Sequence, residues 1–398
     1  MSKENASSFQ GINNIGILAL ILSRGITNLP GLVVSLLLVD IANNFNVPVG
    51  IAGQIRTTSG ILSIIFGFVM GVLSIKYRHR SLLSLGLLLF IISTVTSYYS
   101  TTFTMLLAFY SLAGIAISMV NPMVNTLIGS HIQPEKRTTV MGWTIAGLSI
   151  IYLLGSLSSG YFAPWGWRMA LMLVVVPLSL LTCILCRLHI PGVKQENITS
   201  VNSLFSGYGA VLRNKSALGC IIGTVLGLTT WNIYLIYGAS YWRQVFAIQV
   251  TTIALAMIFT SLSYTAGSLL TGKVTKRIGI RRTLLFTTGI LGGITLFAFN
   301  AQSFIISIAL ASVASFLAGS MITSSSSFSL GQVPEYSGTM MSLHSVAVSL
   351  GGTLSALFGG VFLLSFGYGG YAVILGVVGL VAALVFQFLT VEPVRLRA

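Results

Sequence analysis

Charge is what this sequence has least of. Of its 398 residues 7% are charged, against about a quarter in an average soluble domain, while 55% are hydrophobic. Water is therefore not its main solvent. Acids are scarcer still: Asp and Glu together number 6, against 21 Lys and Arg. Glu4, Glu135, Glu196, Glu335 and Glu392 fall in loops or tails, and Asp40 alone stands beside an apolar segment. A cation exporter needs an acid in its cavity to attract substrate and exchange a proton, and the sequence offers none at mid-membrane depth. Histidines number 4, three of them in loops, which excludes the cluster of base, nucleophile or metal ligands that an intramembrane enzyme requires. The 3 cysteines lie in apolar segments. Cys183 and Cys186 have the spacing of a metal or redox pair, but no second pair accompanies them, and they read as small buried hydrophobes. No cofactor, metal or catalytic residue is expected.

What the chain does contain is apolar runs. A bilayer core about 30 Å thick needs roughly 20 apolar residues, and such runs recur near 14–39, 50–75, 81–98, 102–128, 138–161, 168–188, 216–240, 250–273, 282–300, 303–328, 338–363 and 369–390. The pattern predicts an all-α membrane protein with twelve transmembrane helices in two pseudo-symmetric six-helix bundles. Residues 12–190 and 216–391 are the bundles, and 191–215 the linker. The N-terminus lacks a basic region before a cleavable apolar stretch, so the first run is expected to be retained.

Basic residues cluster between the runs, as Lys76, Arg78 and Arg80, as Lys136 and Arg137, and as Lys273, Lys276, Arg277, Arg281 and Arg282. Only Arg168 and Arg243 fall near the other set of loops. This bias follows the positive-inside rule and predicts a cell (inner) membrane protein with both termini cytoplasmic. The basic loops are too short to form a nucleic-acid-binding domain, so the formal charge of +15 does not point to nucleic acid. The lipid bilayer is the expected surrounding, and the chain is expected to work as a monomer. At an offset of about 200 residues Pro134-Glu135 recurs as Pro334-Glu335, Met141 as Met341, Gly160 as Gly360, and Gly71 nearly so as Gly272, as in a duplicated six-helix unit. Between the halves Val201, Leu204, Phe205, Tyr208, Val211 and Leu212 recur at helical spacing and predict an amphipathic helix on the membrane surface. The near match to a phosphate loop at Gly267 to Val274 lacks the final Ser or Thr and any preceding strand, which speaks against an ATP-driven pump.

With these features the chain resembles the major facilitator superfamily, in the general look of its drug and sugar efflux branches, over essentially its whole length. The family signature after the second helix reads here Gly71-Val72-Leu73-Ser74-Ile75-Lys76-Tyr77-Arg78-His79-Arg80, with Ile75 where the family has aspartate. Its duplicate, from Gly272 to Arg281, also lacks the acid. The antiporter stretch of the fifth helix is reduced to Gly147, Gly155-Ser156 and Gly160 without proline, and Tyr110 replaces the arginine four residues before Gly114. The resemblance implies secondary transport of a small-molecule substrate by alternating access, with the first, fourth, seventh and tenth helices lining a cavity. It assigns Gly71, Arg80, Gly272 and Arg281 to gating.

Arg24 stands near the middle of the first helix, where a guanidinium costs at least about 3 kcal/mol unless it is paired or hydrated. It is the leading substrate residue, a carboxylate attractor with Asn28 one turn on, the alternative being an arginine satisfied by neighbouring carbonyls. The position about 200 residues later is Thr224, so an anion site would be one-sided, unlike that of the nitrate-carrying branch of the family. Asp40 and Arg56 read as a structural pair across a short loop, with a substrate or gating role as the alternative, and His344 as the candidate for proton coupling. On the seventh helix Trp231 and Asn232 are expected in the cavity, and Tyr241 and Trp242 in the interfacial aromatic belt. Asn121, Pro122 and Asn125, with Ser324 to Ser327, form either a polar vestibule or a close-packed contact. A small organic anion is the favoured solute. The other readings are a broad-specificity drug or sugar exporter and, in a different class, a channel or intramembrane enzyme, disfavoured by the duplicated halves and the missing charged ring.

Overall fold

A computed structural model describes residues 12–192 and 208–392. Ten helical segments are long and apolar enough to cross a membrane. They begin with Asn14–Leu36, Val49–Met70, His79–Tyr98, Phe103–His131, Val140–Trp165 and Trp167–His189, which are spans one to six. Lys215–Val245 and Val250–Ile278 are spans seven and eight, and Phe304–Gln332 is span ten. The last segment, Thr339–Phe388, is two helices, because Gly367 adopts φ 65° and ψ −174° and breaks the helical path. It supplies spans eleven and twelve. The ninth is Ile280–Ala298, whose first turn carries Arg281 and Arg282. The twelve-helix expectation holds.

Of the surface helix expected between the halves, residues 193–207 lie outside the described residues, and 208–213 are helical. We call the membrane side that receives the basic loops the basic end, and the other the opposite end.

The first span is not one rod. Helix runs over Asn14–Ile26, resumes over Leu29–Leu36 and again over Leu38–Asn44. Pro30 explains the first interruption, since it has no amide to give the Ile26 carbonyl and its ring would crowd that carbonyl. Thr27 Oγ1 instead donates to the Arg24 carbonyl at 2.7 Å, and Asn28 N donates to the Gly25 carbonyl at 3.3 Å.

The described residues divide into two compact units. One holds those up to Val33 and between Leu62 and Ile198, the other those from Val34 to Ile61 and after Thr199. In the first, span three packs on spans four and six, and span one on spans five and six. Leu83, Leu87 and Phe90 meet Ala116, Val120 and Val124 in its core, all fully buried. In the second, span nine packs on spans ten and twelve, and span seven runs along span eleven, repeating the same scheme. Spans eight and ten approach closely at Gly267 and Gly319, each set against the other helix's backbone. Such contact rests on van der Waals packing, because lipid removes the water-driven term. Large apolar side chains such as Leu269, Ile305 and Phe388 are more than three-quarters exposed, as lipid-facing side chains are.

Candidate functional site

Arg24 occupies the last turn before the Pro30 break, where the free carbonyls of a helix end favour a cation. Its side chain is half-buried, and among its contacts Nη1 faces the backbone carbonyl of Asn121 at 3.5 Å. Asn121 itself precedes Pro122, which sits inside span four. The Asn121 side-chain oxygen is buried without a hydrogen-bond partner among the described residues. A guanidinium and an unsatisfied amide acceptor thus share one neighbourhood. Asn28 and Asn125 are exposed, free of any role in the packed core. The sequence pointed to Arg24, and nothing local in it signals the Asn121 carbonyl, on another helix, as its neighbour.

Span seven turns its aromatic residues into the second unit. Trp231 is 5% exposed and stacks on Tyr234, with ring centroids 5.6 Å apart, and on Tyr264 at 6.0 Å. Two tyrosine hydroxyls of span seven are engaged: Tyr234 Oη donates to Thr295 Oγ1 at 3.1 Å, and Tyr237 Oη to the Ala356 carbonyl at 3.1 Å. Tyr241 and Trp242 do not form a membrane-facing belt as expected. Both are buried, Tyr241 Oη donating to the Ala301 carbonyl and Trp242 Nε1 to Ser307 Oγ at 2.8 Å. These amphipathic rings cap the crowded junction of spans seven, nine and ten, where a satisfied handle removes the penalty of burying its polar atom. Asn232 is half-buried beside Gly352, with Nδ2 donating to the Leu228 carbonyl at 2.8 Å. Nearer the basic end, His344 Nδ1 lies 3.1 Å from Ser329 Oγ, which lies 3.3 Å from Cys220 Sγ. His344 is buried and held by this chain. Ser324 and Ser325 are also buried, while Ser327 is exposed.

Toward the opposite end, residues 34–61 fit onto spans seven and eleven. Gly53 lies under the Tyr237 hydroxyl and Gly50 against the Gly360 carbonyl, approaches that leave no room for a β-carbon. Gln54 Nε2 reaches the carbonyls of Ala356 and Leu357 at 3.4 and 3.3 Å. The pairing expected between Asp40 and Arg56 is not formed. Both oxygens of Asp40 are taken by Arg243, Oδ1 accepting from Nη2 at 2.7 Å and Oδ2 from Nη1. The reason is tertiary: the segment Leu38–Asn44 packs on span seven, whose last turn carries Arg243. Arg56 projects elsewhere on span two. Nothing local in the sequence signals a partner more than two hundred positions away.

At the basic end the duplicated arginines perform the same task. Arg80, at the start of span three, donates through Nη1 to the carbonyls of Ile190 at 3.0 Å and Arg187 at 3.4 Å. Arg281, at the start of span nine, donates through Nε to the Phe386 carbonyl at 3.2 Å and through Nη2 to that of Gln387. Each satisfies the carbonyls that the last helix of its half leaves without amide partners. Glu392 adds a contact, accepting from the Ile280 amide at 3.0 Å beside Gly279, whose φ of 90° suits glycine. Gly272 is exposed with open space around it, and the surroundings of Gly71 lie outside the described residues.

A family profile described as the Major Facilitator Superfamily matches residues 15–290 and 219–398. Among curated proteins, the MFS-type transporter YwfA of Bacillus subtilis (strain 168) is 25% identical over 363 residues, 88% of this chain and 87% of that protein. YceJ of the same organism is 22% identical over 244 residues, 61% of this chain and 62% of YceJ, so the match spans less than two thirds of that relative. Among solved structures, a D-xylose-proton symporter superposes with a TM-score of 0.79 at 15% identity, over 95% of this chain and 98% of its own. The nucleoside transporter NupG gives 0.77 at 15% identity, over 94% of this chain and 98% of its own. At such identities the likeness carries the fold alone.

Proposed function

The chain belongs to the major facilitator superfamily, and from that premise we propose that it is a secondary transporter that moves a small organic anion across the cell membrane by alternating access, with Arg24 holding the anionic group. Its termini and basic loops face the cytoplasm, in keeping with the distribution of Lys and Arg, and it acts as a monomer. A proton is the candidate coupling ion, with His344 the titratable side chain nearest that task.

The observation that carries the reading is the setting of Arg24. A guanidinium at mid-span depth stands at a helix break, half-buried, with the Asn121 carbonyl among its contacts. Broken helices in transporters place backbone and side-chain charge where a solute must be held. The orphaned Asn121 oxygen suits a hydrogen-bond donor on the same solute. Support for the drug-exporter reading weakens correspondingly, because Trp231 and Tyr234 of span seven are engaged with each other and with Tyr264 and Phe299.

Uptake into proteoliposomes tests this. Arg24→Gln is expected to lower anion transport by at least about tenfold, since it removes the charge, and Arg24→Lys to lower it less, because an ammonium keeps the charge and loses the planar fork. Transport of a lipophilic cation that Arg24→Gln leaves unchanged, with no anion transported, would overturn the assignment in favour of the exporter.

A further inference from the structure

With Asp40 committed to Arg243, Arg56 is left as a half-buried guanidinium with no hydrogen-bond or ion-pair partner among the described residues. Its surroundings are built from the second unit. Gly53, three residues before it, rests against Tyr237 of span seven, and Gly60, four residues after it, against Thr353 Oγ1 of span eleven. At about 1.5 Å per residue these two contacts bracket Arg56 by about 4.5 Å and about 6 Å along the axis.

On span seven Asn232 lies about 7.5 Å from Tyr237 toward the basic end, and it borders Gly352, the neighbour of Thr353. Arg56 therefore stands in the layer between Tyr237 and Asn232. One amide proton of Asn232 goes to the Leu228 carbonyl, and the other remains to be donated. Arg56 is also not turned toward lipid. The exposed large apolar residues of the same helix, among those described, are Ile61, Ile65, Phe68 and Val69, and Ile65, nine residues on, falls about half a turn away at about 100° per residue. Arg56 shares its own face with Ser59 and Gly60, one turn on, where Ser59 is buried.

We propose that Arg56 and Asn232 form an anion subsite in the second unit that receives a carboxylate or similar oxyanion of the transported solute, the guanidinium fork gripping two oxygens and the Asn232 amide donating to one. A half-buried cation whose local acid is held by another partner is completed by an anion brought from outside. This rests on the reading of the chain as an anion transporter, and it adds a second contact, independent of Arg24.

The test is thermal stabilisation of the purified full-length protein in detergent, titrated with succinate, benzoate, lactate and inorganic phosphate, and with tetraphenylphosphonium as the cationic comparison. Saturable stabilisation by at least one of the anions is expected, weakened about tenfold or more in apparent Kd by Arg56→Gln, about threefold by Arg56→Lys, and severalfold by Asn232→Ala. If Arg56→Gln does not fold, Arg56→Lys decides alone. No response to any of the four anions overturns the subsite, as does an anion affinity that Arg56→Lys and Arg56→Gln leave unchanged. Arg24→Gln measured in parallel separates the two claims. Loss of affinity in Arg56→Gln with none in Arg24→Gln keeps this subsite and removes Arg24 from the site, and the reverse pattern removes this subsite and keeps Arg24.

Discussion

The two halves of the chain repeat each other at their basic ends and part company in their interiors. Arg80 and Arg281 close the last helix of their halves through the same carbonyl contacts. Toward mid-membrane, the first unit carries Arg24 where the second carries Thr224, whose hydroxyl merely returns to the Cys220 carbonyl at 2.8 Å. The second unit in turn holds the aromatic stack of Trp231, Tyr234 and Tyr264, along with the Asp40–Arg243 pair. A duplicated scaffold keeps the contacts that terminate its helices, because every copy has the same loose carbonyls to satisfy. Chemistry peculiar to this protein is to be sought where the repeat fails.

The sharpest way to break the comparison is to remove the contact that only the second unit has. Asp40→Asn is expected to cost about 1.5–3 kcal/mol, the range for a hydrogen bond to a charged group, read as a lower melting temperature in detergent. Arg243→Gln should cost a similar amount, and the double variant less than the sum, as contacting residues do. Strict additivity would show that the pair contributes nothing.

Next in size are the matched caps. Arg80→Gln and Arg281→Gln should each cost about 1 kcal/mol, the scale of a terminal charge and its hydrogen bonds, and together they should add, since they lie in separate compact units. A large difference between them would mean that the repeat does not share this function after all. Smallest is Glu392→Gln, which weakens one contact to the Ile280 amide and should lower stability by about 0.5 kcal/mol or less, as changes at a helix N-terminus do when a neutral acceptor remains. The first half offers no counterpart to it among the described residues, since Arg78 at the start of span three makes no side-chain cap.

Much of the architecture was legible because lipid demands long apolar runs, and even the ninth span, with two arginines in its first turn, stood out as the run 282–300. Gly367 divides the last two spans, within the gap that the apolar runs leave at 364–368. The Asp40 partner was not legible, because span seven supplies it from the far half of the chain. Tyr241 and Trp242 were misassigned to the aromatic belt for a related reason: an amphipathic ring near a helix end looks the same whether it meets headgroups or the hydroxyl of Ser307. Arg24 was found from its cost alone, but its contact with the Asn121 carbonyl joins residues 97 positions apart and emerges only in three dimensions.

The interruption at Thr27 and Asn28 also has a mechanical meaning. An unbroken helix passes torque along its length, whereas a rod missing a rung behaves as two levers on a pivot. Rotation of Leu29–Leu36 need not be passed rigidly to Asn14–Ile26. Arg24, seated in the last turn before the pivot, is where such a change of angle first alters the reach of a side chain. The amide of Asn28, joined to Gly25 by a 3.3 Å bond and followed two residues later by a proline that has no exchangeable proton, is the natural place for deuterium to report that bending.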